Sequence, residues 1–142
     1  DKGEESVMRW VMILLLLCIG VGPAYAGWVS LGGDEKLGLT IYIDPSTIDG
    51  NEDQRSFWLL YDFKTTQTKE GGVSFRSAKM QREYDCGKSR TRLLTIVHYA
   101  SAMESGEMVL KSSPPNQEWA PVGQLESGTI AKDLWTLACS KD

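Results

Sequence analysis

From Leu37 to Asp44 apolar and polar residues alternate, with Leu37, Leu39, Ile41 and Ile43 set against Gly38, Thr40, Tyr42 and Asp44. A period of two puts the first set on one side of an extended chain, so this segment is predicted to be a half-buried strand. Asp44-Pro45-Ser46-Thr47 ends it, because proline presets a turn and the aspartate can bond back to the turn's backbone. A short strand at Trp28-Val29-Ser30-Leu31 precedes it and stops at Gly32-Gly33. Arg55 to Lys64 is apolar on both sides, with Phe57, Leu59, Tyr61 and Phe63 on one and Trp58 and Leu60 on the other. Such a strand belongs in the middle of a sheet with both faces covered.

Gly71-Gly72 marks a turn, and Val73 to Asp85 reads as a long strand. Ala78, Met80, Tyr84 and Cys86 share one of its sides, interrupted by Arg82. Thr91 to Ala100, rich in β-branched and aromatic residues, is its hairpin partner across Gly87-Lys88-Ser89. Glu107 to Lys111 is predicted as an edge strand, and Ser112 to Pro121, with three prolines, as a loop. The period then changes. Ile130, Leu134 and Leu137 fall at helical spacing, and Ala131, Trp135, Ala138 and Cys139 widen the stripe. Ser127 is the predicted N-cap. Strands followed by one helix give an α+β domain: an antiparallel sheet of about six strands with a C-terminal helix on one face.

The N-terminus carries a different pattern. Arg9 precedes an apolar run from Val11 to Val21, Gly22-Pro23 breaks it, and Ala24-Tyr25-Ala26 gives the small-x-small signature of signal-peptidase cleavage. Residues 1–26 are read as a signal-peptide region, with 1–7 upstream of a start at Met8, and 27–142 as one domain. The run is shorter than the ~20 residues of a spanning helix, so no membrane span is expected after cleavage. Leu17, where lipoprotein processing needs a small residue, argues against lipidation of Cys18. The exported segment retains Cys86 and Cys139, and an even count in a short exported chain points to a disulfide. His98 is the only histidine and no C-x-x-C spacing occurs, so a metal site is not expected. Bridging positions 86 and 139 closes a loop of about 54 residues, worth about 4 kcal/mol.

With 142 residues, 42% of them hydrophobic and 24% charged, the chain suits one globular domain. Its net charge of -4 gives no general attraction for nucleic acid.

The order of several short segments carries a resemblance. These are Trp28-Val29, Ile41-Tyr42-Ile43-Asp44-Pro45-Ser46-Thr47-Ile48, Trp58-Leu59-Leu60-Tyr61-Asp62, Glu83-Tyr84-Asp85-Cys86 and Arg92-Leu93-Leu94. Ser112-Ser113-Pro114 with Trp119-Ala120-Pro121-Val122, and Leu134-Trp135-Thr136-Leu137-Ala138-Cys139, complete the series. Together they resemble the surface-adhesin protein E family of Gram-negative bacteria. The resemblance implies a six-stranded antiparallel sheet whose C-terminal helix is tethered to the concave side by a disulfide. It also implies a cell-surface protein that binds host proteins such as vitronectin, laminin and plasminogen. The same residues are compatible with a periplasmic accessory protein that meets no host, and dimerisation is left open. The founding type is a lipoprotein, a point on which this chain departs.

No nucleophile–base pair is available except through His98, and no G-x-S-x-G or phosphate-binding glycine loop occurs, so no enzyme is expected and no cofactor. His98 is read as a sheet-face histidine with a structural hydrogen bond. Haem ligation by His98 with Tyr99, a second role within the resembling family, is a minor alternative. Lys79, Arg82, Lys88, Arg90 and Arg92 make a basic cluster along one hairpin, and with Trp119, the most exposed tryptophan expected, they form the candidate binding patch. Trp135 is assigned to the core.

Overall fold

The computed structural model describes residues 27–114 and 116–140. The signal-peptide region read over 1–26, Cys18 included, lies outside the described residues.

Among the described residues, eight strands form one antiparallel sheet: β1 (Val29–Asp34), β2 (Leu39–Ile43), β3 (Asp49–Gly50), β4 (Gln54–Thr68), β5 (Ser74–Asp85), β6 (Arg90–Tyr99), β7 (Met108–Ser112) and β8 (Ala120–Pro121). The helix α1 (Ile130–Cys139) follows. Six strands make the main path, in the order β1-β2-β4-β5-β6-β7, while the two-residue β3 and β8 pair with β4 and β6. This is the α+β arrangement expected, with β4 in the interior of the sheet. Asp44 closes β2 as anticipated. Its Oδ1 accepts the Ser46 N–H at 3.0 Å and caps a 3-10 turn at Pro45–Thr47.

Antiparallel register decides which residues share a face. Ile43 lies opposite Leu59, Leu59 opposite Met80, and Arg55 opposite Tyr84. Helix α1 covers this side, so Ile43, Phe57, Leu59 and Tyr84 form one core with Leu134 and Ala138. Phe57, Leu59 and Ala138 are fully buried. The Phe57 and Tyr84 rings stack at 5.5 Å, and Trp135 meets Tyr84 edge-on at 6.0 Å. Leu60 and Val97 belong to the opposite face, where both are nonetheless buried. The segment 100–107 between β6 and β7 folds over that second face. There the Ser77 hydroxyl donates to the Ser101 carbonyl at 2.6 Å, and Asp62 accepts the Met103 N–H at 2.8 Å.

Several local expectations are corrected. The N-cap is Thr129, whose Oγ1 accepts the Lys132 N–H at 3.2 Å. Ser127 instead occupies a turn, closed by the Thr129 N–H on the Glu126 carbonyl and shared with Gly128 at φ +85°. The buried line of the helix runs through Ile130, Leu134, Trp135, Ala138 and Cys139, leaving Ala131 exposed and Leu137 37% exposed. The segment assigned to a loop over 112–121 contains β8, which takes the edge of β6 at Arg90 and Thr91 while β7 takes Ile96 to Tyr99. Proline fits there because β8 pairs on one side only. An extra residue, Leu94, enters β6 between the partners of Gln81 and Arg82. The irregularity lies in β6, so the Met80–Arg82–Tyr84 stripe of β5 is kept.

Candidate binding surface and its relatives

Cys86 follows the last residue of β5, and Cys139 ends α1. The two are joined by a disulfide with their Cα atoms 5.5 Å apart. The last helical turn is thereby pinned to the sheet at the point where Ala138 packs.

The basic residues singled out from sequence do not form one patch. In the β5–β6 ladder Glu83 stands opposite Arg92 and Asp85 opposite Arg90, on the face away from the helix. Each arginine takes its cross-strand carboxylate: Arg92 Nη2 lies 2.8 Å from Glu83 Oε1, and Arg90 Nε lies 2.9 Å from Asp85 Oδ2. Burial alone would raise the Asp85 pKa, but the Lys88 N–H and the Arg90 guanidinium outweigh it and hold the carboxyl below its ordinary value. Trp119 then lies against both arginines, with the Arg90 and Arg92 guanidinium carbons 4.5 and 4.3 Å from its ring centroid. Such cation–π stacking strengthens when water is excluded. The loop bearing Trp119 is held down by Gln117, whose Nε2 donates to the Leu94 carbonyl at 3.3 Å. Leu93, Pro114, Asn116, Gln117 and Glu118 line an adjoining cleft of about 270 Å³.

Lys88 is exposed in the β5–β6 turn beside this platform. Arg82 points to the helix side, its Nη1 3.5 Å from Thr91 Oγ1. Lys79 is on the platform's face but further along it, its Nζ 2.6 Å from Glu104 Oε1 and 5.2 Å from the centre of the Trp58 ring. Burial would lower the Lys79 pKa, yet hydrogen bonds to Glu104 and Tyr99 raise it above its ordinary value. The structure therefore gathers Arg90, Arg92 and Trp119, sets Lys88 at their margin, and separates Lys79 and Arg82 from them.

A second cleft, of about 260 Å³, is lined by Trp28, Asp44, Thr47, Trp58, Lys79 and Glu104. Sequence reading missed it. Glu104 is brought to Trp28 across 76 positions, where it accepts the indole N–H at 3.3 Å. The available signal was slight: a Ser-Gly pair after Glu104, marking a tight segment.

His98 occupies neither site. It is 6% exposed at the far end of the helix-side face, edge-on to Phe75 with ring centres 4.6 Å apart. Its buried Nδ1 has no hydrogen-bond partner among the described residues, so packing rather than the expected structural bond holds it. Burial, and then the Lys69 charge, keep its pKa below the ordinary histidine value. Ala78 lies opposite His98 and Ser77 opposite Tyr99, which puts the two side chains on opposite faces. They cannot jointly ligate one haem iron. Among the described residues no group of three or more His, Cys, Asp or Glu is placed to hold a metal ion, and no helix is long and apolar enough to cross a membrane.

The sequence model of surface-adhesin protein E matches residues 28–140. The chain belongs to that family. Solved structures of Haemophilus influenzae protein E share the fold. One crystal form aligns with a TM-score of 0.54 at 14% identity, covering 82% of this chain and 92% of the other. A second structure of Haemophilus influenzae protein E gives 0.52 at 15% identity over 86% and 96% of the two chains. Protein E from a non-typeable strain of the same species gives 0.50 at 16%, over 76% and 71%. No curated protein matches the chain.

Proposed function

We propose that this adhesin-E-family protein is an exported binding protein that contacts extracellular or host proteins through its surface and carries out no chemistry. The observation that supports the reading most is the Trp119 platform: one indole against two guanidinium groups, on the face that the helix leaves free. Tryptophan and arginine dominate the energetics of protein interfaces because they bury large area and stay ordered. Here both arginines are already held by cross-strand carboxylates, so little side-chain entropy remains to be lost on binding. Lys88 at the margin supplies the uncompensated charge. An exported location follows from the signal-peptide reading of residues 1–26.

Two measurements test the proposal. Immobilised vitronectin, laminin and other matrix proteins should retain the wild-type domain, and Trp119→Ala should weaken retention at least tenfold, or about 1.4 kcal/mol. Charge reversal at Arg90 and Arg92 should do the same. Protease treatment of intact cells should degrade the protein. Release by osmotic shock together with full protection on intact cells would favour the periplasmic accessory role instead.

A further inference from the structure

The cleft between Trp28, Trp58 and Glu104 has the makings of a site for a different kind of ligand. Trp28 and Trp58 give it apolar walls, while Asp44, Lys79 and Glu104 place two carboxylates and one ammonium around them. Trp28 is anchored through its N–H to Glu104 Oε2, and one face of Trp58 carries the Lys79 ammonium. The second oxygen of Glu104 holds that ammonium at 2.6 Å. These side chains are therefore ordered before any ligand arrives. Asp44 Oδ1 is occupied by the N–H and O–H of Ser46, whereas Oδ2 has no partner among the described residues. The Glu104 carboxylate reaches this position at a cost. Met103 and Glu104 both adopt left-handed backbone, at φ 53° and 60°, a conformation of about 1–3 kcal/mol for a residue other than glycine. Two successive residues held in this way set the wall of the cleft.

We propose that this cleft binds an uncharged pyranose ring of a glycan. A pyranose has an apolar C–H face, which matches an indole, and a rim of hydroxyls that both donate and accept. Asp44 Oδ2 and Glu104 accept from such hydroxyls, and Lys79 donates to them. The volume of about 260 Å³ is just below the ~300 Å³ lower bound for drug-sized ligands, which suits one ring. Two carboxylates against one ammonium leave an excess negative charge, which disfavours sialic acid, uronates and sulfated sugars. The ring would come from the chain end of an extracellular glycoprotein glycan or from the amino sugars of the cell's own wall. Both present the same uncharged face.

The test uses the disulfide-bonded domain 27–142 and follows the indole N–H resonances of Trp28 and Trp58 by NMR. The probes are methyl galactoside, methyl glucoside, the N-acetylglucosamine disaccharide and sialyllactose, each titrated to about 10 mM, ten times a Kd of about 1 mM. At least one neutral probe should shift both resonances with saturation. A response to the disaccharide alone assigns the wall source, and a response to a galactoside assigns the glycoprotein source. Trp28→Ala should weaken binding at least tenfold, and Glu104→Gln, which keeps the shape and removes the charge, should also weaken it with little change in melting temperature. Charge reversal at Arg90 and Arg92 should leave sugar binding intact, which separates this site from the platform. No movement of either resonance with any neutral probe would overturn the proposal. So would tighter binding of sialyllactose, or undiminished binding by both cleft variants.

Discussion

Cys139→Ser removes the covalent tether between the helix and the sheet while leaving most of the surrounding packing in place. The bond joins residues 53 positions apart, and closing a loop of that length takes unfolded-chain entropy worth about 4 kcal/mol at about 25 °C. Leu134 and Ala138 would still cover Ile43, Phe57, Leu59 and Tyr84, so the loss should be about 2–5 kcal/mol and the domain should still fold. Against a net stability of about 5–15 kcal/mol for a typical domain, that is a large share. With a urea m-value of about 2 kcal/mol per molar, the midpoint should fall by about 1–2.5 M. The m-value itself should rise, because a denatured chain without the cross-link is less compact. A second readout is local. Helix α1 has ten residues, fewer than the ~12–15 at which even a good isolated helix becomes marginal in water. Its amides should therefore exchange through local opening once the tether is gone. An unmoved midpoint in Cys139→Ser, and in the wild-type domain under dithiothreitol, would refute the loop-entropy reasoning.

His98 gives a pH-dependent prediction. Its folded pKa is held below the ordinary 6.5 by burial and by Lys69, so the fold prefers the neutral ring. The stability it contributes is present above about pH 6.5 and is lost as pH falls towards the lowered folded value. His98→Phe keeps an aromatic ring beside Phe75, and its urea midpoint should decline less than wild type between about pH 7 and pH 5; equal slopes would count against the assignment. Thr129→Ala should cost about 1 kcal/mol, while Ser127→Ala should stay within about 0.5 kcal/mol; chemical denaturation of both would expose a wrong cap if the order reversed. Because Arg90 and Arg92 are paired with Asp85 and Glu83, binding at the Trp119 platform should weaken less than tenfold between about 50 and 200 mM salt; a steeper fall would mean that free charge, not the stacked ring, drives the contact.

The strands of strong period were legible from residues alone. The alternation of Leu37, Leu39, Ile41 and Ile43 and the two-sided apolarity of Arg55 to Lys64 need only local pattern, and they reappear as β2 and the buried middle of β4, except that β2 starts at Leu39 and Leu37 lies exposed in the preceding turn. The features that were not legible are non-local or turn on a single backbone angle. Ser127 and Thr129 are chemically equivalent caps, and the choice between them follows from the turn that Ser127 shares with Gly128. Two residues of β8 carry no period at all, and they pair because β6 has an edge that β7 leaves open. The Trp28–Glu104 bond depends on a loop whose path is set by Asp62 and Ser77, each from a different strand.

The basic cluster shows how far charge in a sequence can be from charge on a surface. Lys79, Arg82, Lys88, Arg90 and Arg92 sit close along one hairpin, yet strand alternation sends Arg82 to the helix side, and cross-strand carboxylates neutralise Arg90 and Arg92. Lys79 is neutralised in turn by Glu104, from a loop 25 positions away. Three cations that would have made a polyanion site are converted into fixed supports for aromatic rings, Trp119 in one place and Trp58 in the other. The same antiparallel register that builds the helix-covered core thus leaves the opposite face with indoles held against ion-paired cations. A surface of that kind offers shape and apolar faces before it offers free charge, in keeping with the chain's mild net charge of -4.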